Sequence, residues 1–140
     1  MTADTLPTLV DTSAWIEFLR GTGSPANIAV RELLAGSEAT ATTTTESVVM
    51  EVLAGARDAA HLDRLRRLML TCTVVAIEGL ADFEEAASLY RTCRGAGETV
   101  RSLADCLVAA VAIRADLRVL HADRDYATIA RHSALRIAAL

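Results

Sequence analysis

The chain predicts an α/β fold, a three-layer α/β/α sandwich with a mainly parallel central sheet. Three observations carry that expectation. Short β-branched or apolar runs alternate with amphipathic stretches along the whole chain. The first run, Leu9-Val10, stops at Asp11 and passes directly into a helical pattern, as a parallel strand does before its crossover. The 140 residues are 52% hydrophobic but only 4% aromatic, so one aliphatic core can serve a single domain over residues 1–140.

The elements follow in order. Thr12 and Ser13 can cap a helix carrying Trp15, Ile16, Phe18 and Leu19. The turn 21–25 leads to a short helix over residues 28–34, closed by Gly36. Residues 38–42 suit a short strand. Thr43 followed by Glu46 has the spacing of a capping box and opens a helix to about Ala56, with Val48, Val49, Val52 and Leu53 as its apolar face. Residues 59–70 form a helix that buries Leu62, Leu65, Leu68 and Met69. Residues 71–77 read as a β-branched strand, 80–94 as an amphipathic helix and 102–115 as an apolar helix. A strand at 117–120, a helix at 124–131 and an edge strand at 135–139 complete the chain.

Composition removes several chemistries. All 14 basic residues are Arg, so mechanisms that need a catalytic lysine, such as P-loop transfer or Schiff-base chemistry, are excluded. Cys72, Cys93 and Cys106 make no CxxC pair and read as small core residues. His61, His121 and His132 make no HxxxH pair. No run of 18 apolar residues is present, and the start lacks the pattern of a secretory signal, so a cytoplasmic protein without a membrane span is expected. The net charge of −4 speaks against a broad basic surface for nucleic acid. Such contacts would fall to local arginines, of which Arg20, Arg91, Arg94, Arg101 and Arg124 are candidates, or to metal ions that offset the acids.

Four acids sit where bland residues are expected. Asp11 ends the first strand, where it could equally serve as a helix N-cap. Glu51 lies inside a helix, and Asp105 near the start of the most apolar one. Asp123 follows the strand at 117–120, with Asp125 two residues on. Ligands of parallel sheets bind beyond the carboxyl ends of strands, so these acids can converge on one crevice. Clustered carboxylates repel one another, and a hard divalent cation relieves the repulsion. An all-oxygen site without Lys, His or Cys points to Mg²⁺, with Mn²⁺ as a substitute, and such ions suit phosphodiester hydrolysis. On charge alone, D11N is expected to leave the fold intact and to stabilise the metal-free protein.

The segments Leu9-Val-Asp11-Thr-Ser-Ala-Trp15, Glu51-Val-Leu-Ala-Gly55, Asp105-Cys-Leu-Val-Ala-Ala110 and Leu120-His-Ala-Asp123-Arg-Asp125-Tyr126 stand in this order across the chain. Together they resemble PIN-domain ribonucleases, and among them the VapC toxins of VapBC-type (type II) toxin–antitoxin pairs. The resemblance implies a metal site of Asp11, Glu51, Asp105 and Asp123, the same four residues being catalytic. Thr12 or Ser13 would orient Asp11 or a bound water. It also implies an endoribonuclease dependent on Mg²⁺ or Mn²⁺ that acts on structured RNA such as tRNA. A VapB-like antitoxin whose tail covers the crevice and a homodimer are implied as well. Asp125 is expected to stand behind Asp123. Tyr126 takes the place of the family's usual Phe and is expected to affect packing alone.

Two rivals compete. A phosphatase or phospho-acceptor domain could use Asp11 as nucleophile, but those families need a lysine, and the phosphatases a second acid where Ser13 stands. A non-catalytic PIN fold that binds RNA or a partner would be expected to have lost one of the acids.

Overall fold

β1 (Thr8–Val10) leads to α1 (Thr12–Leu19) and α2 (Pro25–Ala35), and β2 (Thr42–Thr44) to α3 (Glu46–Ala54) and α4 (Ala59–Leu70). β3 (Thr73–Val74) leads to α5 (Gly79–Gly95) and α6 (Leu103–Ala115), β4 (Arg118–Leu120) to α7 (Arg124–Arg131), and β5 (Arg136–Ile137) follows. These elements come from a computed structural model, in which residues 7–36 and 42–140 are described. Every neighbouring strand pair is parallel, in the order β3-β2-β1-β4-β5, as the alternating pattern predicts.

The strand order places the crevice. The chain winds outward from β1 to β2 and β3, then crosses back to β4 on the other side of β1. With the right-handed crossovers usual for parallel strands, this order assigns α1 to α4 to one face and α5 to α7 to the other. Packing follows: α1 meets α2 and α3, α3 meets α4, and α5, α6 and α7 meet one another. The order reverses between β1 and β4, where parallel sheets open to ligands. Val10 pairs with Leu120 there, and the Asp11 N–H donates to the Leu120 carbonyl at 2.9 Å. The two strand ends are thus held edge to edge where the chain leaves the sheet.

α6 is the core helix. Its residues Asp105 to Ala112 are all buried, and a helix that is apolar all round has no solvent face to offer. Ser102 caps its first turn by accepting the Asp105 N–H at 3.4 Å. Near its other end, the Arg114 guanidinium donates to Asp82 at 2.9 Å and to the Ala76 carbonyl at 2.7 Å. That fork ties α6 to the start of α5 and holds the Asp82 carboxyl below the usual carboxylate range. The largest fully buried side chains are Trp15 and Tyr126. All three cysteines are buried and unpaired, as their scatter predicts.

Some boundaries differ from the sequence expectation. Thr12 and Ser13 are not the cap of α1; Asp11 is, with its carboxylate accepting the Ser13 N–H. The strand expected at 38–42 lies, up to residue 41, outside the described residues. The observed β2 falls where the capping box was expected, because β-branched threonines suit a buried strand as well as a cap. Thr45 is the N-cap of α3 without a side-chain capping bond; its hydroxyl donates to Glu46 at 3.2 Å. Glu46 instead accepts the Ile77 N–H at 2.9 Å. This bond and the Arg114 bond to Ala76 take main-chain groups that a longer β3 would need, so the strand expected over 71–77 is only two residues long. Leu62 on α4 is exposed and not buried.

Candidate metal centre and active site

The switch-point crevice collects carboxylates from the end of β1 and from α3, α6 and α7. Asp11 lies beyond β1 and is only 3% exposed. Three donors fix it: the Ser13 N–H (2.9 Å) and Oγ (2.6 Å) on Oδ2, and the Tyr126 hydroxyl (2.6 Å) on Oδ1. Ser13 Oγ also accepts the Ala122 N–H at 2.9 Å, so one hydroxyl links the chain after β1 to the chain after β4. Tyr126 therefore does more than pack. Burial, with Asp11 and Asp105 nearby, pushes its phenol well above the usual range and keeps it a hydrogen-bond donor.

Asp105 enters from the first turn of α6. Its Oδ2 is buried and has no hydrogen-bond partner. Burial, then the charges of Asp11 and Asp123, push its carboxyl up to about 8. Asp123 is the N-cap of α7, accepting the Asp125 N–H at 2.9 Å. Asp125 is buried in the same first turn. One carboxylate oxygen each from Asp105, Asp123 and Asp125 lies within 4.8 Å of the others. Asp125 therefore does not stand behind Asp123: the N-cap Asp123 has extended backbone, Asp125 sits in the first turn of α7, and both carboxylates reach the same place.

Asp11 and Glu51 lie outside that three-acid group. Glu51 stands at the exposed rim, where its Oε1 accepts from Thr12 Oγ1 at 3.3 Å. Partial desolvation and the nearby Asp11 charge push its carboxyl above the usual range. Beside it, a groove of about 450 Å³ opens between α1, α3 and α4, with Leu19 and Leu65 in its walls and Arg20 and Arg57 among its lining residues. His121, which no spacing in the sequence marked out, accepts the Asp123 N–H at 3.2 Å and packs its ring 5.1 Å from that of Tyr126.

The donor set fits a hard cation. The group offers oxygen ligands only, and the bare Oδ2 of Asp105 is a buried acceptor with no donor of its own. A divalent ion would satisfy that oxygen and offset the burial and the neighbouring negative charges that raise the Asp105 carboxyl.

Residues 8–132 match the family model described as "PIN domain". Over 130 residues the chain is 45% identical to the VapC ribonuclease Mb1587 of Mycobacterium bovis, covering 93% of this chain and 96% of that protein. The ribonuclease VapC11 of Mycobacterium tuberculosis matches to the same extent. Among solved structures, VapBC2 of Rickettsia felis bound to a promoter DNA fragment superposes with a TM-score of 0.72 at 14% identity, covering 94% of this chain and 96% of that one. VapC20 of Mycobacterium tuberculosis, a sarcin-ricin loop cleaving toxin, superposes at 0.66 with 18% identity, covering 92% and 98%. At those identities the likeness is one of fold. Family model and relatives together establish the chain as a member of the PIN-domain family, among its VapC ribonucleases.

Proposed function

We propose that this chain is the toxin of a toxin–antitoxin pair and an endoribonuclease that hydrolyses RNA phosphodiester bonds with Mg²⁺, or Mn²⁺ in its place. The observation that carries the reading is Asp105: its carboxylate groups within 4.8 Å with two others, and its buried Oδ2 has no hydrogen-bond partner. Asp11, Glu51, Asp105 and Asp123 are the proposed metal-binding and catalytic residues, with Asp125 added to them by its position. A bound divalent ion would supply Lewis acidity and a water made acidic enough to attack phosphorus. Asp11 is held in one orientation by Ser13 and Tyr126, so its remaining lone pair points in a fixed direction. Burial and the neighbouring acids raise the Asp105 carboxyl, and a bound cation would favour its ionised form. Glu51, at the rim, is placed to accept a proton from water on the solvent side.

The substrate is structured RNA, with tRNA the first candidate. Cleavage there would stop translation and growth. A VapB-like antitoxin is the proposed partner; the solved neighbours include VapBC complexes bound to DNA. A homodimer and a cytoplasmic location are further parts of the same reading. Among the described residues no helix is long and apolar enough to cross a membrane.

The test is cleavage of total cellular RNA by purified protein with Mg²⁺, Mn²⁺ or EDTA, beside D105N. Discrete fragments that require the metal and vanish in D105N are expected, and end-mapping tells tRNA from other structured targets. Cleavage that survives EDTA or D105N overturns the reading. RNA that is bound but never cut would instead favour a non-catalytic binding module.

A further inference from the structure

Arg101 lies in the turn between α5 and α6, one residue before the Ser102 cap. Its main-chain N–H donates to Asp125 Oδ2 at 3.1 Å. Its guanidinium Nη2 is 3.3 Å from Asp123 Oδ1, and Nε is 3.5 Å from Asp125 Oδ1. Among the described residues it is the one cation ion-paired to the acids of the crevice. The side chain nonetheless remains 59% exposed. Arg101 thus bridges two of the three grouped carboxylates from the solvent side and leaves the Oδ2 of Asp105 bare.

Two physical constraints act on this contact. Asp123 Oδ1 already accepts the Asp125 N–H at 2.9 Å as the cap of α7. With Nη2 added, both lone pairs of that oxygen are engaged. A cation that coordinates through it must displace one donor, and the main-chain N–H is fixed while the arginine is free to swing. A divalent ion on the other oxygens still meets a like charge in the guanidinium nearby. Once displaced, the guanidinium sits at the mouth of the crevice. A planar fork of donors there matches a phosphate, the group that an RNA strand must bring to the acids.

We infer that Arg101 exchanges partners during the reaction cycle: it neutralises Asp123 and Asp125 in the metal-free protein, yields to the divalent ion, and then binds a phosphate of the RNA. The inference rests on the metal-dependent reading of the site, and goes beyond it by giving the chain an internal competitor for its own cofactor.

The experiment titrates Mn²⁺ into wild type, R101Q, R101K and D105N by calorimetry, with circular dichroism confirming that each is folded, and measures KM and kcat on a cleavable RNA. R101Q is expected to bind Mn²⁺ about fivefold more tightly, the scale of one partly exposed ion pair. Its KM for RNA is expected to rise about fivefold for the lost charge-assisted phosphate contact. R101K keeps the charge and should stay within about twofold of wild type in Mn²⁺ affinity. An unchanged or weaker Mn²⁺ affinity in R101Q, or an unchanged KM, overturns the exchange. If Mn²⁺ binds wild type, is lost in D105N and is indifferent to R101Q, the inference falls alone. If wild type takes up no Mn²⁺, the metal-dependent reading falls and the inference with it.

Discussion

On the β1–β4 side of the crevice, the Asp11 carboxylate is buried and receives three donors at 2.6–2.9 Å. On the α3 side, Glu51 is exposed and receives one, from Thr12 at 3.3 Å, beside an open groove. One wall is set before anything binds, and the other is left to adjust. Under the proposed function, the contrast suits a site that would hold a small ion in fixed geometry and also admit a large, variable polymer. Ligands of a hard cation need positions fixed by a supporting shell. A groove that meets RNA gains from side chains that can still move.

Paired substitutions break or sharpen that contrast. The largest difference is expected between D11N and E51Q. D11N replaces an acceptor by an amide that presents N–H groups to donors already in place, so it should lower stability by about 2 kcal/mol in chemical denaturation. Charge alone argued for stabilisation; the three donors reverse the sign. E51Q, at the rim, should stay within about 0.5 kcal/mol of wild type. Both should cut RNA cleavage by at least about a hundredfold. Equal stability losses would erase the distinction between the two walls.

The second prediction concerns pH. The Asp105 carboxyl is raised to about 8 in the folded, metal-free protein, while the unfolded chain releases that proton near its ordinary 3.8. The folded state therefore binds more protons between those values, and its stability falls as pH rises through that window. His121, lowered by burial, contributes the opposite slope around its ordinary 6.5. The readout is therefore the wild-type melting temperature in EDTA minus that of D105N, from pH 5 to pH 8. The difference should become steadily less favourable to wild type, and a flat difference would mean that Asp105 is already ionised. The smallest effect is expected from Y126F. Losing the 2.6 Å bond to Asp11 should cost about 1 kcal/mol while most of the packing survives. A neutral Y126F in denaturation would show that Ser13 alone holds Asp11.

Much of the fold was legible because period and punctuation are local. The limits expected for α4 and α7 match those observed, since each has an apolar stripe bounded by polar cap residues. β2 was misplaced because a run of threonines satisfies the signal of a strand and of a cap equally. The acids were legible as types at strand and helix ends. Their support was not. Tyr126 and Asp11 are 115 residues apart in the chain, and Ser13 and Ala122 are 109 apart, so nothing local marks their bonds. Asp125 was set behind Asp123 for the same reason: the main-chain N–H that reaches its carboxylate belongs to Arg101, 24 residues away in the chain.

The buried thiols have a consequence of another kind. Cys106 follows Asp105 on α6, is fully buried, and its thiol is pushed up to about 12 by desolvation and by neighbouring Cys93 and Asp105. Such a group reacts with an alkylating reagent only when its surroundings open. Its labelling rate is therefore a clock for how often the helix under the acids loosens. Cys72, between α4 and β3, and Cys93, in α5, keep separate time for their own regions. A cation seated on Asp105 would slow the first clock more than the other two, so breathing of the acid-bearing wall could be read residue by residue without adding a probe.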